Sequence, residues 1–493
     1  METIVFATAQ ELALAIQRRQ VSSVEVINAY LTQLERYNAR VNAVVTLDAE
    51  GAQGQARRAD AALARGECWG PLHGVPFTVK DALETAGLRT TSGFPPLSDY
   101  VPQTDATVVA RLRAAGAILL GKTNLPTLAS DGQTDNPLFG RTKNPWNLAY
   151  TPGGSSGGSA AALAAGLTAL EIGSDIAGSV RVPAHYCGVC GLKPTEHLLP
   201  LTGHIPEPPG APRGVRHMGV LGPLARSVED LTLVLPLLAG PDGRRWEVAP
   251  VRLEPPPSRP LKHLRLAWSD DFGELPVTHE TREALNAFVI ELERYGCRIE
   301  RGTPPGFDFL LAWETWGELY QAEASSTSPL SKEDVVQEAA RGGMTPDSPD
   351  PLFRGQARGL NATMRQYTAT LTRRDALIAA LEEFLADWDA WLVPVSTGPA
   401  IAHCPGGTPL LVDAVTIPYL LACAGYCSPF NLTGNPAVVM PFNRPANGLP
   451  IDLQLIGRRW TDLSLLATAA QLGEVIGPFQ RPPSYAPGPI DQD

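Results

Sequence analysis

Two glycine- and serine-rich stretches, residues 153–158 and 172–183, carry the side chains best suited to acyl transfer. That chemistry needs a hydroxyl nucleophile, a base to take its proton, and N–H donors aimed at the oxygen that gains charge. In IGSDIAGSVRVP (172–183) an apolar run ends, a tight small-residue turn follows, and Ser179 stands at its exit. Successive N–H groups in such a turn can converge on an anion. The stretch GGSSGG (153–158) adds Ser155 on a loop free to take unusual backbone angles. By pattern alone these remain a suggestion, because Gly/Ser loops are common in turns. Lys80, which closes the apolar run 75–79, reads equally well as a surface lysine at a strand end.

Three other motifs point elsewhere and fail on physics. GAILLGKT (116–123) matches the phosphate-loop pattern letter for letter. Its middle residues, however, are an apolar strand, and Pro126 follows where a helix should open. GGSSG (153–157) matches the nucleophile elbow, which needs an apolar strand running into it. The preceding residues 143–152 are polar and proline-punctuated. Downstream His263, His279 and His403 keep an esterase of that type as an alternative. Cys187 and Cys190 form a lone CxxC beside His185, with no second pair at zinc spacing. They read as small buried thiols, and no metal site is expected.

The surrounding composition narrows the class. The chain has 493 residues, 44% hydrophobic and 18% charged, with a formal net charge of −11. Such an acidic balance argues against a nucleic-acid partner, which needs a basic face. Seven cysteines do not make a secreted disulfide framework. The N-terminus lacks the pattern of a secretory leader. No apolar run approaches the ~20 residues that span a bilayer. A cytoplasmic protein with no membrane partner is expected.

The elements that must position these residues alternate. Capping-box patterns at Thr8–Glu11 and Ser22–Glu25 open helices within residues 1–65, and Val26, Tyr30, Leu34 and Tyr37 share one helical face. The alanine-rich stretch 52–64 reads as a further helix. From about residue 70, strands at 75–79, 117–120 and 169–172 alternate with helices at 107–115 and 159–165. Later come a helix at 281–295 leading to a strand near Cys297, and a helix at 376–388 leading to a strand at 391–395. This alternation predicts an α/β fold with a mostly parallel or mixed sheet covered on both sides. Residues 303–360 read as irregular, the kind of segment that shapes a pocket or makes a surface excursion.

Several segments together resemble the amidase signature family: HGVPFTVKD (73–81), TPGGSSGGSAA (151–161) and GSDIAGSVRVPA (173–184). The match continues through YCGVCGLKPT (186–195), PFNLTGNPA (429–437) and GLPIDLQL (448–455). It is dense over about 70–230 and thinner over nearly the whole chain. The resemblance implies that Ser179 is the nucleophile, that Ser155 relays its proton, and that Lys80 is the base. It also implies a cis peptide bond before Ser155, and an oxyanion hole made by the N–H groups of Ile176, Ala177, Gly178 and Ser179. Lys80 must then be neutral, although free lysine titrates near ~10.4. Burial away from carboxylates would achieve this, with the adjacent Asp81 pointing to the other side of the strand. No histidine, metal or cofactor is required.

The implied fold is a single domain over 1–493, built on a large, central, mixed and twisted β-sheet flanked by α-helices. Within it, 1–65 forms N-terminal helices, 66–235 the signature core, 236–430 a variable substrate-shaping part, and 431–493 a return to the core. The site is expected at one edge of the sheet, under 303–360. Many relatives carry two glycines before the nucleophile, whereas this chain has Ala177-Gly178, so Ala177 is expected to keep a negative φ. Asp175 and Arg181 are expected to pair structurally, and Ser156 and Ser159 to hold their loop.

Ala129, Ser130, Asp131 and Gly132 are candidates for lining the acyl-side pocket. Asp131 would select a polar or amine-bearing substrate, or be a loop acid. Trp313, Trp316, Tyr320 and Tyr367 are candidates for an apolar wall, or for core. The implied activity is hydrolysis of amide bonds in small molecules, with ester or carbamate bonds as further targets. The alternative within the family is the glutaminase subunit of a tRNA-dependent amidotransferase. Members are often dimers, which leaves a homodimer open.

Overall fold

The computed structural model describes all residues except 1, 207–212, 257–258, 274, 327–336, 338–342, 444–447 and 486–493. Its frame is an 11-stranded mixed sheet. In chain order its strands are β1 (Val44–Leu47), β2 (Pro76–Lys80), β3 (Ile118–Thr123), β4 (Leu170–Asp175), β5 (Cys190–Lys193) and β6 (Val220–Ala225). Then follow β7 (Arg265–Trp268), β8 (Arg298–Arg301) and β9 (Ala390–Pro394). A separate two-stranded ribbon holds β10 (Leu410–Val412) and β11 (Val415–Ile417), and β12 (Ala437–Asn443) and β13 (Ile451–Ile456) complete the main sheet. The spatial order is β1-β3-β2-β4-β6-β5-β12-β13-β9-β7-β8.

Parallel pairing joins β2 to β3 and β4, and β7 to β8 and β9. Antiparallel pairs make up the rest, so the sheet is mixed. The late hairpin β12–β13 sits between β5 and β9 and welds the early strands to the later ones. Strands β2, β3, β4 and β6 are buried throughout. Strands covered on both faces read as short apolar runs rather than as alternation.

Helices begin where their capping chemistry places them. Thr8 and Ser22 each form a complete capping box, with Glu11 and Glu25 respectively. Val26, Tyr30, Leu34 and Tyr37 are all buried on one face of Ser23–Val41. In Ala49–Ala64, Ala52, Ala56, Ala59 and Ala62 supply the close-packed face.

Three elements differ from the sequence reading. β1 lies among the N-terminal helices as an edge strand, a four-residue element too short and half-exposed to give a periodic signal. The helix expected over 376–388 spans Met364–Leu385, because Thr363 and Gln366 form a capping box well upstream. The segment 303–360 is not irregular over its described residues. It carries the helices Phe309–Ser325 and Pro351–Gly359, which pack closely enough that Gly317 stands against the Leu352 carbonyl and Gly355 against that of Glu314. Phe309–Ser325 is buried on several faces, which erases the amphipathic pattern.

A second core lies under this region. Phe272 stacks on Phe309 with centroids 4.2 Å apart and meets Tyr426 at 4.6 Å. Trp391, fully buried, meets Phe430 edge-on at 5.8 Å.

Candidate active site

The candidate site lies at the carboxyl ends of β2 and β4, within the sheet rather than beside an outer strand. β2 delivers Lys80 there with no solvent exposure. Its Nζ lies 2.6 Å from Ser155 Oγ, 3.0 Å from Ser174 Oγ and 3.1 Å from Ser156 Oγ. Three hydroxyls suit a neutral amine, which has two hydrogens to give and one lone pair to accept. Burial pulls the amine down to about 7, against weaker upward pulls from Asp175 and Glu171. Asp81 turns away from Lys80: its Oδ2 accepts from Thr91 N at 3.0 Å, and its Oδ1 is 3.8 Å from Lys122 Nζ.

The Gly154–Ser155 peptide bond is cis. A side chain at Gly154 would run into Asp131 O at 2.5 Å, so this loop fits only a glycine there. Ser156 ties the loop to the opposite turn through its N–H, 3.1 Å from Ser179 O. Beyond Ser156 the chain enters the small-residue helix Gly157–Ala164. Ser159 Oγ meets Thr123 Oγ1 at 2.9 Å, a side-chain contact rather than a backbone one.

The turn after β4 is shaped around Asp175. Its carboxylate accepts from Gly178 N at 2.8 Å and Val180 N at 3.0 Å, and it pairs with Arg181 at 3.0 Å, all without solvent exposure of either side chain. Arg181 and its surroundings hold Asp175 far below the usual carboxylate range, in spite of burial. Asn431 Nδ2 donates to Asp175 Oδ1 at 2.9 Å, and Gln454 Oε1 accepts from Arg181 Nη1 at 3.0 Å. These contacts explain why the C-terminal segments belong to the site. Ala177 stays outside the positive-φ region, and Gly178 takes φ 112°, where an added Cβ would meet Cys427 Cβ at 2.8 Å.

Of the four N–H groups that the resemblance implies for an oxyanion hole, one is already engaged within the protein. The Gly178 N–H is already given to Asp175, so it holds the turn. The N–H groups of Ile176, Ala177 and Ser179 have no such bond to protein among the described contacts. Trp316 steadies the same turn from the second half of the chain, donating from Nε1 to Ile176 O at 2.8 Å.

Ser155, Ser174, Asp175 and Ser179 open onto one cavity of about 240 Å³. Its walls are largely apolar, with Leu128, Ile176, Leu201, Ile205, Val215 and Val220, and Tyr320 is also exposed to it. Of the four pocket candidates on the 129–132 loop, only Ala129 lines this cavity. Ser130 bonds back to Thr127 O at 2.7 Å, Asp131 accepts from Tyr419 OH at 2.6 Å, and Gly132 packs on Cys423. Asp131 and Gly132 buttress the Ser155 loop, where Gly154 packs directly against their backbone. Of the four aromatics, Tyr320 reaches the cavity and stacks on Trp316 at 5.1 Å. Trp313 is core, bonded to Gly425 O, and Tyr367 donates to Glu323.

Sequence reasoning missed two groups. Ser156 and Ser174 join Ser155 on Lys80. Ser174 was detectable in principle, since it lies on β4 beside the end of β2 and shares a strand face with Ile172. His204 and Arg245 line the cavity from segments with no motif. The misleading motifs resolve as expected: Lys122 of the phosphate-loop lookalike lies in β3, and both cysteines of the CxxC are buried and unpaired with each other. Among the described residues no cluster suits a metal ion, and no helix is long and apolar enough to cross a membrane.

A family model described as Amidase matches residues 25–466. The chain is 33% identical to a glutamyl-tRNA(Gln) amidotransferase subunit of Synechococcus sp. (strain CC9605), with 96% of each chain covered. It is also 33% identical to an acylamidase of Rhodococcus erythropolis, again with 96% of each covered. A solved structure from work on a vestigial protein complex and the origins of an s-triazine catabolic enzyme superposes with a TM-score of 0.81 at 28% identity. That match covers 96% of this chain and 99% of the other.

Proposed function

This chain belongs to the amidase signature family of hydrolases, and we propose that it cleaves amide bonds of small molecules through an acyl-enzyme on Ser179. The observation that carries this reading is a fully buried Lys80 ringed by three serine hydroxyls, at a cavity that also exposes Ser179. Burial leaves much of the amine neutral near pH 7, so it accepts a proton without help from a histidine.

Ser179 Oγ attacks the amide carbonyl while its proton passes to Ser155, and the Ser155 proton passes to Lys80 Nζ. The developing oxyanion is met by the N–H groups of Ile176, Ala177 and Ser179, with the Asp175–Gly178 bond keeping the turn in shape. Ser155 then returns a proton to the departing nitrogen, which leaves poorly as an anion. Water deacylates Ser179 by the same relay. Ester and carbamate cleavage follow from the same tetrahedral chemistry.

The glutaminase reading draws support from the 33% identity to the amidotransferase relative. Against it, the only carboxylate among the described cavity residues is Asp175, already engaged by Arg181. A free glutamine would need an acceptor for its ammonium group. A stand-alone amidase acting on less polar substrates fits the apolar wall better.

The test is turnover of an anilide, a nitrophenyl ester, an aryl carbamate and glutamine by wild type and Ser179→Ala. Anilide hydrolysis abolished in the variant is the expected result. Turnover of glutamine alone would favour the amidotransferase reading, and anilide turnover that survives Ser179→Ala would remove Ser179 as nucleophile.

A further inference from the structure

The helix Phe309–Ser325 serves the reacting turn and the cavity at once. Trp316 donates from Nε1 to Ile176 O at 2.8 Å. Tyr320, one turn of about 5.4 Å further along, stacks on that indole with ring planes 9° apart and centroids at 5.1 Å. The indole therefore fixes where the Tyr320 ring stands relative to the turn that carries Ser179. Tyr320 and Ser179 line the same cavity.

Three polar side chains outside the reacting loops reach this cavity wall, and they differ in what they can offer a ligand. Arg245 is committed within the protein. Asp242 accepts from its N–H at 3.0 Å and from Thr202 Oγ1 at 2.5 Å. Its guanidinium donates to Leu201 O at 3.5 Å and has a further partner in the protein. His204 has its Nε2 sealed inside the wall without a hydrogen-bond partner. Tyr320 is half-buried, and its hydroxyl makes no hydrogen bond among the described residues. Burial alone pushes that hydroxyl above the ordinary phenol range, so it remains a neutral donor at working pH.

The wall around it holds no uncommitted charge, since Asp175 is engaged by Arg181 as Arg245 is by its own partners. A carboxylate or ammonium on the substrate would be desolvated there without a counter-ion. An ether, ketone or second amide carbonyl instead gives the phenol an acceptor and brings no charge. Leu201, Ile205 and Val215 suit the hydrocarbon on either side of such a group.

We propose that the Tyr320 hydroxyl is a specificity-determining donor, selecting uncharged amides that carry a hydrogen-bond acceptor a few bonds from the scissile carbonyl. A hydrocarbon of the same shape leaves the hydroxyl unpaired, so the discrimination comes from the protein's own unmet donor. This substrate class deepens the amidase reading and rests on Ser179 being the reacting group of the cavity.

The test is calorimetric binding to Ser179→Ala, which retains the cavity without the nucleophile's hydroxyl. Terminal methoxy acyl anilides, from methoxyacetyl to methoxybutyryl, are titrated against alkanoyl anilides of equal chain length. Para-methoxy and para-ethyl acetanilide make the same comparison on the amine side. Adding Tyr320→Phe deletes one oxygen and keeps the stack on Trp316. It should weaken at least one ether by about 3- to 10-fold, the range of a neutral hydrogen bond, and leave its hydrocarbon partner unchanged. Equal response of ether and hydrocarbon in every pair overturns the proposal. So does failure of all these compounds to bind, because the class named here would then not occupy the cavity. Binding is read on a protein that lacks the Ser179 hydroxyl, so these outcomes are separate from wild-type anilide turnover, which tests the amidase reading.

Discussion

The ends of β2 and β3 each bury a lysine, and the two neighbourhoods put that cation to different use. Lys80 on β2 meets three serine hydroxyls and no ion-paired carboxylate among the described residues. Lys122 on β3 meets Asp81 at 3.8 Å, Thr85 Oγ1 at 3.0 Å, Thr90 Oγ1 at 2.8 Å and the carbonyl of Leu83. Burial lowers both amines, Lys80 to about 7 and Lys122 to about 8. What separates them is what remains when the proton leaves. At Lys80 a hydroxyl can turn and donate to the freed lone pair. At Lys122 the Leu83 carbonyl and the Asp81 carboxylate can only accept, and the two threonine hydroxyls already donate to backbone carbonyls, Thr85 to Leu83 O at 3.1 Å and Thr90 to Leu88 O at 3.2 Å, so no donor is left for a freed lone pair. A shell with hydroxyls free to turn suits a base, and a shell whose donors are already committed suits a structural tie.

Exchanging each lysine for methionine should separate these roles most sharply. Lys80→Met should lower anilide kcat by about 10⁴-fold or more, as removal of a member of a catalytic unit does. Lys122→Met should instead destabilise the fold by about 3–5 kcal/mol, because Asp81 is left buried without its cation. Denaturant unfolding reads the second effect and steady-state kinetics the first. If Lys122→Met lost activity while keeping full stability, the contrast would collapse.

The pH profile gives the next largest effect. Lys80 works as a base only when neutral, so kcat/KM should fall about tenfold per unit below pH 7 and level off above it. That limb should persist in Lys122→Met, since Lys122 plays no part in proton transfer. A smaller change is expected from Ser174→Ala. Its hydroxyl accepts from Lys80 and so favours the charged amine, and its removal should move the limb to lower pH by up to about one unit.

Legibility in the sequence followed the same division. Lys80, Ser155 and Ser179 lie in dense signature segments, so resemblance singled them out where spacing alone could not. The cis bond at Gly154–Ser155 was implied in the same way, and the Ala177 backbone followed from sterics. Arg245 and His204 lacked any such marker: they meet through Asp242 and Thr202, a contact between segments 40 residues apart in sequence. The helix Phe309–Ser325 was hidden for a different reason. It is packed on several faces, and that removes the one-sided periodicity by which helices are read. By contrast, the capping box at Thr363 and Gln366 stands in the letters themselves, well upstream of the helix expected over 376–388.

The bond from Trp316 to Ile176 O has an evolutionary consequence. The helix that carries Trp316 also carries Tyr320 into the cavity, one turn further on and stacked against it. A lineage changing its substrate by resculpting this helix would be working on the brace of the turn that carries Ser179. Substitutions at position 320 are open to such drift, whereas those at 316 would be filtered by rate before any new specificity could be selected.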